Sequence, residues 1–221
     1  ISFFKRTMKR FLPLFKGISE LKTIGLSHSD IKRGNIVLDD RSFKLIDFGL
    51  ACSLTDTTEL KKRTMRQYYD DRIYTPYPID FVYAYTNAQQ EKVDQNAYMK
   101  GEFKTNFSEY NDIHTIFFKR TDVVTKITQF LENVRVNKTK LFETVDVYSL
   151  GYLMPKCIYS DVHLSKVTIK NIATYLDDPD IKPFIELFKD MTRETFFNEG
   201  HRISAYEAYT RFNLLVRTID Y

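Results

Sequence analysis

From residue 3 to residue 24, apolar side chains recur at spacings of three and four: Phe3, Phe4, Met8, Phe11, Leu12, Phe15, Ile18, Leu21 and Ile24, with lysine and arginine between them. That period predicts an amphipathic helix with one apolar stripe. Pro13 predicts a bend or interruption within it, and Gly25 a C-terminal cap. The period then changes. Two short β-type runs, Ile36-Val37-Leu38 and Phe43-Lys44-Leu45-Ile46, flank the polar Asp39-Asp40-Arg41-Ser42 and predict a small hairpin.

From Leu50 to Tyr85 the chain is irregular, rich in Thr, Lys, Arg and Tyr, and broken by Pro76 and Pro78. Residues 86–140 are polar, but Ile113–Val134 shows helical spacing, with Ile116, Phe117, Val123, Val124, Ile127, Phe130 and Leu131. Val145–Ile158 is apolar on most sides, as expected of a buried helix, and Pro155 predicts a kink or an early end. Pro183–Thr192 and Ser204–Val216 read as two further amphipathic helices, the second opened by a Ser204 N-cap with Glu207 three residues on. The prediction is a mainly α fold with one small β-hairpin, and no internal repeat.

Composition narrows the class. The 221 residues suffice for one domain with a substantial core. No apolar run approaches the roughly 20 residues that span a bilayer, so no membrane partner is expected. The N-terminal Ile-Ser-Phe-Phe-Lys-Arg is not a signal peptide, and without an initiator Met the sequence reads as part of a longer chain. Two cysteines, Cys52 and Cys157, cannot build a disulfide framework and imply free thiols in a reducing, intracellular setting, where the sequons at Asn106 and Asn137 stay unused. A net charge of +4 falls short of the clustered basic stripe of a nucleic-acid binder.

The stretch that carries chemistry is His28-Ser29-Asp30-Ile31-Lys32-Arg33-Gly34-Asn35, followed after the hairpin by Asp47-Phe48-Gly49. Phosphoryl transfer to a hydroxyl needs a carboxylate at the nucleophile, cations against the transferring group, and oxygen ligands for Mg²⁺ on the nucleotide phosphates. Asp30 suits the first role, and Lys32 the second. Asn35 and Asp47 supply hard oxygen donors suited to Mg²⁺. Gly49 offers a sharp turn after the metal ligand without a Cβ penalty.

This stretch resembles the catalytic loop of the eukaryotic-type protein kinases in its Asp-x-Lys-x-x-Asn spacing and in the Asp-Phe-Gly beyond a hairpin. Asp146-Val147-Tyr148-Ser149-Leu150-Gly151 is similar to the start of the family's F helix, whose Asp holds the catalytic loop's backbone. His201-Arg202-Ile203-Ser204-Ala205-Tyr206-Glu207-Ala208 resembles the segment whose Arg pairs with the acidic residue closing the activation segment, here Asp80 in Pro78-Ile79-Asp80. The resemblance implies a protein-kinase-like large lobe without the N-terminal β-rich lobe. Residues 1–85 would be the E helix, catalytic loop and activation segment, 86–140 an insertion, and 141–221 the F to I helices.

It further implies a serine/threonine kinase using ATP and Mg²⁺ on a protein substrate. Asp30 and Lys32 would be catalytic, Lys32, Asn35 and Asp47 would bind the nucleotide, and Asn35 and Asp47 the metal. His28, Gly49, Asp80, Asp146 and Arg202 would be structural supports. Lys32 points to the serine/threonine branch. Ser29 stands where the family usually has an Arg that pairs with a phosphorylated loop, so activity is not expected to wait for that modification. The glycine-rich loop, its Val-Ala-x-Lys strand and the C-helix Glu are missing from the sequence. The small lobe is therefore expected on a longer chain or another chain, and the fragment alone is expected to be inactive. The abundance of Tyr, Asn, Lys and Phe resembles kinases of large DNA viruses, which would place the protein in the virion or host cytoplasm.

Two other classes stay open: a pseudokinase or virion scaffold, and a small-molecule kinase of the aminoglycoside or choline type. Retention of Asp30, Asn35 and Asp47 speaks against the first. Lys32, Gly49, the Ser-Leu-Gly helix start and the Arg202 segment speak against the second. Cys52 reads as a small core residue rather than a reactive thiol. Tyr68, Tyr69, Tyr74, Tyr77 and Tyr83 read as packing of the activation segment rather than as a phosphorylation surface. Lys61-Lys62-Arg63 and Arg66 fit a solvated face as well as a docking site for acidic substrates.

Overall fold

The computed structural model describes residues 2–56, 58–59, 77–80, 102–132, 143–165 and 169–219. The expectations for Lys61–Arg63, Arg66 and the tyrosines at 68, 69, 74 and 83 fall outside these residues.

Helix α1 spans Ser2–Thr23 and runs through Pro13 without interruption. Its apolar stripe buries Phe4, Met8, Phe11, Leu14, Phe15 and Ile18. The strands β1 (Leu26–Ser27), β2 (Ile36–Asp39), β3 (Ser42–Leu45) and β4 (Cys52–Ser53) follow. They form two antiparallel pairs, β1 with β4 and β2 with β3. The β2–β3 hairpin is tighter than the sequence suggests. Asp39 pairs with Ser42, leaving Asp40-Arg41 as the turn, with Asp40 in the left-handed region at φ 50°.

The remaining elements are helical: α2 (Glu102–Ile116), α3 (Val123–Glu132), α4 (Val145–Ser165), α5 (Ile169–Leu176), α6 (Lys182–Met191) and α7 (Ala205–Thr218). The described chain is thus mainly α with two small antiparallel sheets of two strands each. No helix among the described residues is long and apolar enough to cross a membrane.

One core joins these elements. Phe15 of α1 stacks on Phe212 of α7 at 3.7 Å between ring centroids, and Phe4 meets Phe184 of α6 edge-on at 5.4 Å. Phe11 meets Phe43 of β3 at 4.8 Å, which seats the hairpin on α1. At the centre lies α4, with Val147, Tyr148, Leu150, Tyr152, Leu153 and Met154 buried. Of the kink or early end expected at Pro155, the early end does not occur, and α4 continues to Ser165. The proline's missing N–H and its ring both act on the carbonyl four residues back, at Gly151. Pro155 itself is buried, so core packing holds the helix through a position that local propensity would end.

Gly151 also sets the spacing of α4 and α6. A Cβ there would stand 2.6 Å from Met191 Cβ and 3.3 Å from Thr192 Cγ2. Gly151→Ala is therefore expected to destabilise the fold by roughly 1–3 kcal/mol by overpacking, although alanine gains about 1 kcal/mol in helix propensity. Urea unfolding with an unchanged m-value would read this. A midpoint shifted upward would show that the two helices can part without cost.

The single helical stretch expected over Ile113–Val134 is two helices. Between them Lys119 and Asp122 take positive φ values of 50° and 54°. The break follows from Arg120, which is 3% exposed and points inward. Its guanidinium packs on Phe118 and Phe197 at 5.1 and 4.3 Å and pairs with Glu199 at 2.6 Å. A partner 79 residues away leaves no mark on local periodicity. Tyr110, Ile113 and Phe117 of the α2 side and Val123, Ile127 and Phe130 of α3 join the same core.

Candidate active site

Gly25, at φ 74°, turns the chain out of α1 so that Leu26 and Ser27 pair with Ser53 and Cys52. The next residues are held chiefly by Asp146, in the first turn of α4. Its Oδ2 accepts from the His28 amide at 2.7 Å and the Ser27 hydroxyl at 3.0 Å, and its Oδ1 from the Ser29 amide at 2.9 Å. A helix N-terminus favours a carboxylate in this place. Burial nevertheless pushes the Asp146 carboxyl above its ordinary pKa, against the pull of those donors.

Held this way, the loop presents Asp30, which is 3% exposed. Its Oδ2 accepts from Lys32 Nζ at 2.9 Å and from Asn35 Nδ2 at 2.7 Å. Asn35 Nδ2 also donates to the Asp30 carbonyl at 2.9 Å. Lys32 reaches this sunken carboxylate from a half-exposed position, so a cation approachable from solvent meets a fixed anion.

The hairpin brings Asp47 to the same end of the molecule. Ile36 pairs with Leu45, and the Ile46 amide donates to the Asn35 carbonyl at 2.9 Å, which ties the chain just before β2 to the chain just after β3. The turn after it differs from expectation. The left-handed residue is Asp47 itself, at φ 62°, and its side chain accepts from the Gly49 amide at 3.2 Å. Gly49 is not at positive φ and serves by leaving room, since a Cβ there would sit 3.1 Å from Asp47 Oδ1. His28 links the two motifs. Its Nδ1 accepts from the Asp30 amide at 3.3 Å, so Nε2 is the protonated nitrogen and donates to the Ile46 carbonyl at 3.2 Å. Its ring lies 4.7 Å from that of Phe48.

A second cluster fixes the chain at Asp80, which is fully buried. Its Oδ1 lies 3.3 Å from Arg202 Nη2, and its Oδ2 accepts from the Thr195 amide at 2.9 Å. Arg202 also donates to the Arg193 carbonyl at 2.9 Å and to Thr144 Oγ1 at 3.1 Å. Two residues here, Glu194 and Tyr110, carry no signal in the sequence, and Tyr77 carries only a weak one. Glu194 Oε2 accepts from the Asp80 amide at 3.1 Å, the Tyr110 hydroxyl donates to Glu194 Oε1, and the Tyr77 hydroxyl donates to the Ser29 carbonyl. Each joins segments at least 48 residues apart, so no local spacing could announce it. Tyr77 was visible only as one of a run of tyrosines.

Burial, with Asp80 beside it, pushes the Glu194 carboxyl up to about 8. Between its ordinary value near 4.5 and that one, the folded chain holds a proton that the unfolded chain has released. This contribution to stability is complete below the lower value and is lost as pH rises through the upper one. The Tm is expected to fall between about pH 4.5 and pH 8, and to fall less in Glu194→Gln, which removes the titration while keeping an oxygen for the Asp80 amide. Equal slopes in a thermal melt series would refute this.

Residues 4–75 match the family model of the protein kinase domain. That span is protein-kinase-like. The matched span is roughly a third of the chain and contains both His28–Asn35 and Asp47–Gly49, while Asp80, Asp146 and Arg202 lie beyond it. It supports a protein-kinase-like fold and a kinase-like function. No curated protein and no solved structure matches the chain.

Proposed function

We propose that this chain is the large lobe of a serine/threonine protein kinase, transferring the γ-phosphoryl group of ATP to a protein hydroxyl. The observation that carries this reading is the convergence of Lys32 and Asn35 on one oxygen of Asp30, on a loop whose backbone Asp146 holds. Two donors on Oδ2 stop the carboxylate from rotating. Asp30 is then oriented to accept the proton of an acceptor hydroxyl, and positioning of this kind is most of what the protein contributes to phosphoryl transfer. Lys32, half in solvent, offers its charge to the γ-phosphoryl oxygens as negative charge develops there.

The donor chemistry fits Mg²⁺. With Nδ2 of Asn35 committed to Asp30, the amide presents its oxygen, and Asp47 adds a carboxylate at the open end of the hairpin. Mg²⁺ commonly binds through one or two such oxygens, with phosphates and water completing its shell. When bound, the ion neutralises charge on the nucleotide phosphates. Val37, Leu38, Ile46, Phe48 and Leu50 are exposed apolar side chains in and just after the hairpin, against which a nucleotide base or a small lobe would pack. Lys32, two residues after Asp30, supports a serine or threonine acceptor.

The test is phosphate transfer by the full-length protein from Mg-ATP to serine, threonine and tyrosine peptides, beside Asp30→Asn. Transfer to serine or threonine that the substitution abolishes is expected. Absence of transfer, or transfer only to a small alcohol such as an aminoglycoside, would overturn the reading.

A further inference from the structure

We infer that Tyr77 is a positioning residue for Asp30, acting through the peptide unit that joins Ser29 to Asp30. The inference rests on the reading of Asp30 as the residue that receives the acceptor's proton. Ser29 sits at φ 59°, in the left-handed region that a residue with a Cβ occupies only when its surroundings hold it there. Asp146 takes its amide at 2.9 Å, and its Oγ lies 2.9 Å from Ser27 Oγ and 3.4 Å from Cys52 Sγ.

The carbonyl is the remaining handle, and the buried Tyr77 hydroxyl donates to it. That carbonyl lies in the same rigid plane as the Asp30 amide. The amide in turn donates to His28 Nδ1 at 3.3 Å. With both ends of the plane held, the Cα of Asp30 has one place to be. Tyr77 lies three residues before Asp80, which Arg202, Thr195 and Glu194 fix from three directions. A buried tyrosine needs some acceptor for its hydroxyl. Here the acceptor is the one carbonyl whose plane leads into Asp30.

Tyr77→Phe keeps the ring and removes the donor. In the full-length protein it is expected to lower kcat about tenfold with the KM for ATP within about twofold. Amide exchange at His28–Asp30 should rise about tenfold without a matching rise in α4 or α7. An unchanged kcat in a protein that Asp30→Asn inactivates would overturn the inference and leave the kinase reading standing. Unchanged exchange at the loop would overturn it without reference to activity. A wild-type protein that transfers no phosphate would sink the kinase reading and this role with it, whatever the exchange data show of the contact.

Discussion

Asp30→Asn in the full-length protein is expected to lower kcat by roughly 10²- to 10⁴-fold, the range that a positioned proton acceptor contributes, with the Tm nearly unchanged. The asparagine has the same shape, and its oxygen can take the place of Oδ2 between Lys32 Nζ and Asn35 Nδ2. What is lost is the negative charge and the basicity. Asp30→Ala is the informative contrast. It removes the acceptor of both donors, so Asn35 Nδ2 keeps only the Asp30 carbonyl and the loop loosens as well. Steady-state transfer and thermal melts on the two variants separate chemistry from loop order. If Asp30→Asn turns over at the wild-type rate, Asp30 holds the loop and nothing more.

Arg202→Ala is expected to cost about 3–5 kcal/mol of stability, the range for removing one member of a buried ion pair. The side chains of Asp80 and Arg202 are 1% and 3% exposed, so the substitution leaves a buried carboxylate without its cation. The substitution also removes the donor to the Arg193 carbonyl and to Thr144 Oγ1, and the guanidinium that lies 5.1 Å from the Tyr148 ring. Asp80 keeps the Thr195 amide, which limits the damage. Arg202→Lys should fall between, restoring charge but not the planar set of donors. Denaturant midpoints decide the matter, and a loss below about 1 kcal/mol would mean that Asp80 is held by its backbone contacts instead.

Where pattern was local, the sequence was readable. The stripe from Phe4 to Ile18 became the buried face of α1, although Phe3 and Ile24 at its ends are exposed, the runs around Asp39–Ser42 became the hairpin, and Ser204 with Glu207 became an N-cap at 3.1 Å. The Asp30, Lys32 and Asn35 spacing brings Lys32 and Asn35 onto the Asp30 carboxylate because a single tight loop carries them all. The misses have a common cause. The break between α2 and α3, the passage of α4 through Pro155, and the contacts of Tyr77, Tyr110 and Glu194 are each set by a partner distant in sequence. Two-residue strands such as β1 and β4 are too short to show any period.

Arg120 and Glu199 carry a consequence for how this chain could change over time. Arg120 clasps the loop that follows Thr195, Phe130 of α3 lies 5.2 Å from Phe196 of that loop, and Tyr110 caps Glu194 just before it. Residues 102–132 and 194–199 are thus two halves of one clasp, although each would pass as a dispensable decoration if aligned alone. Excising the helices would uncover Phe196 and Phe197 and take the Tyr110 hydroxyl from Glu194. Shortening the loop would leave Arg120 buried without Glu199. Relatives of this chain should therefore keep both segments or lack both, and a graft of either one into a plainer relative should fail to fold unless the other travels with it.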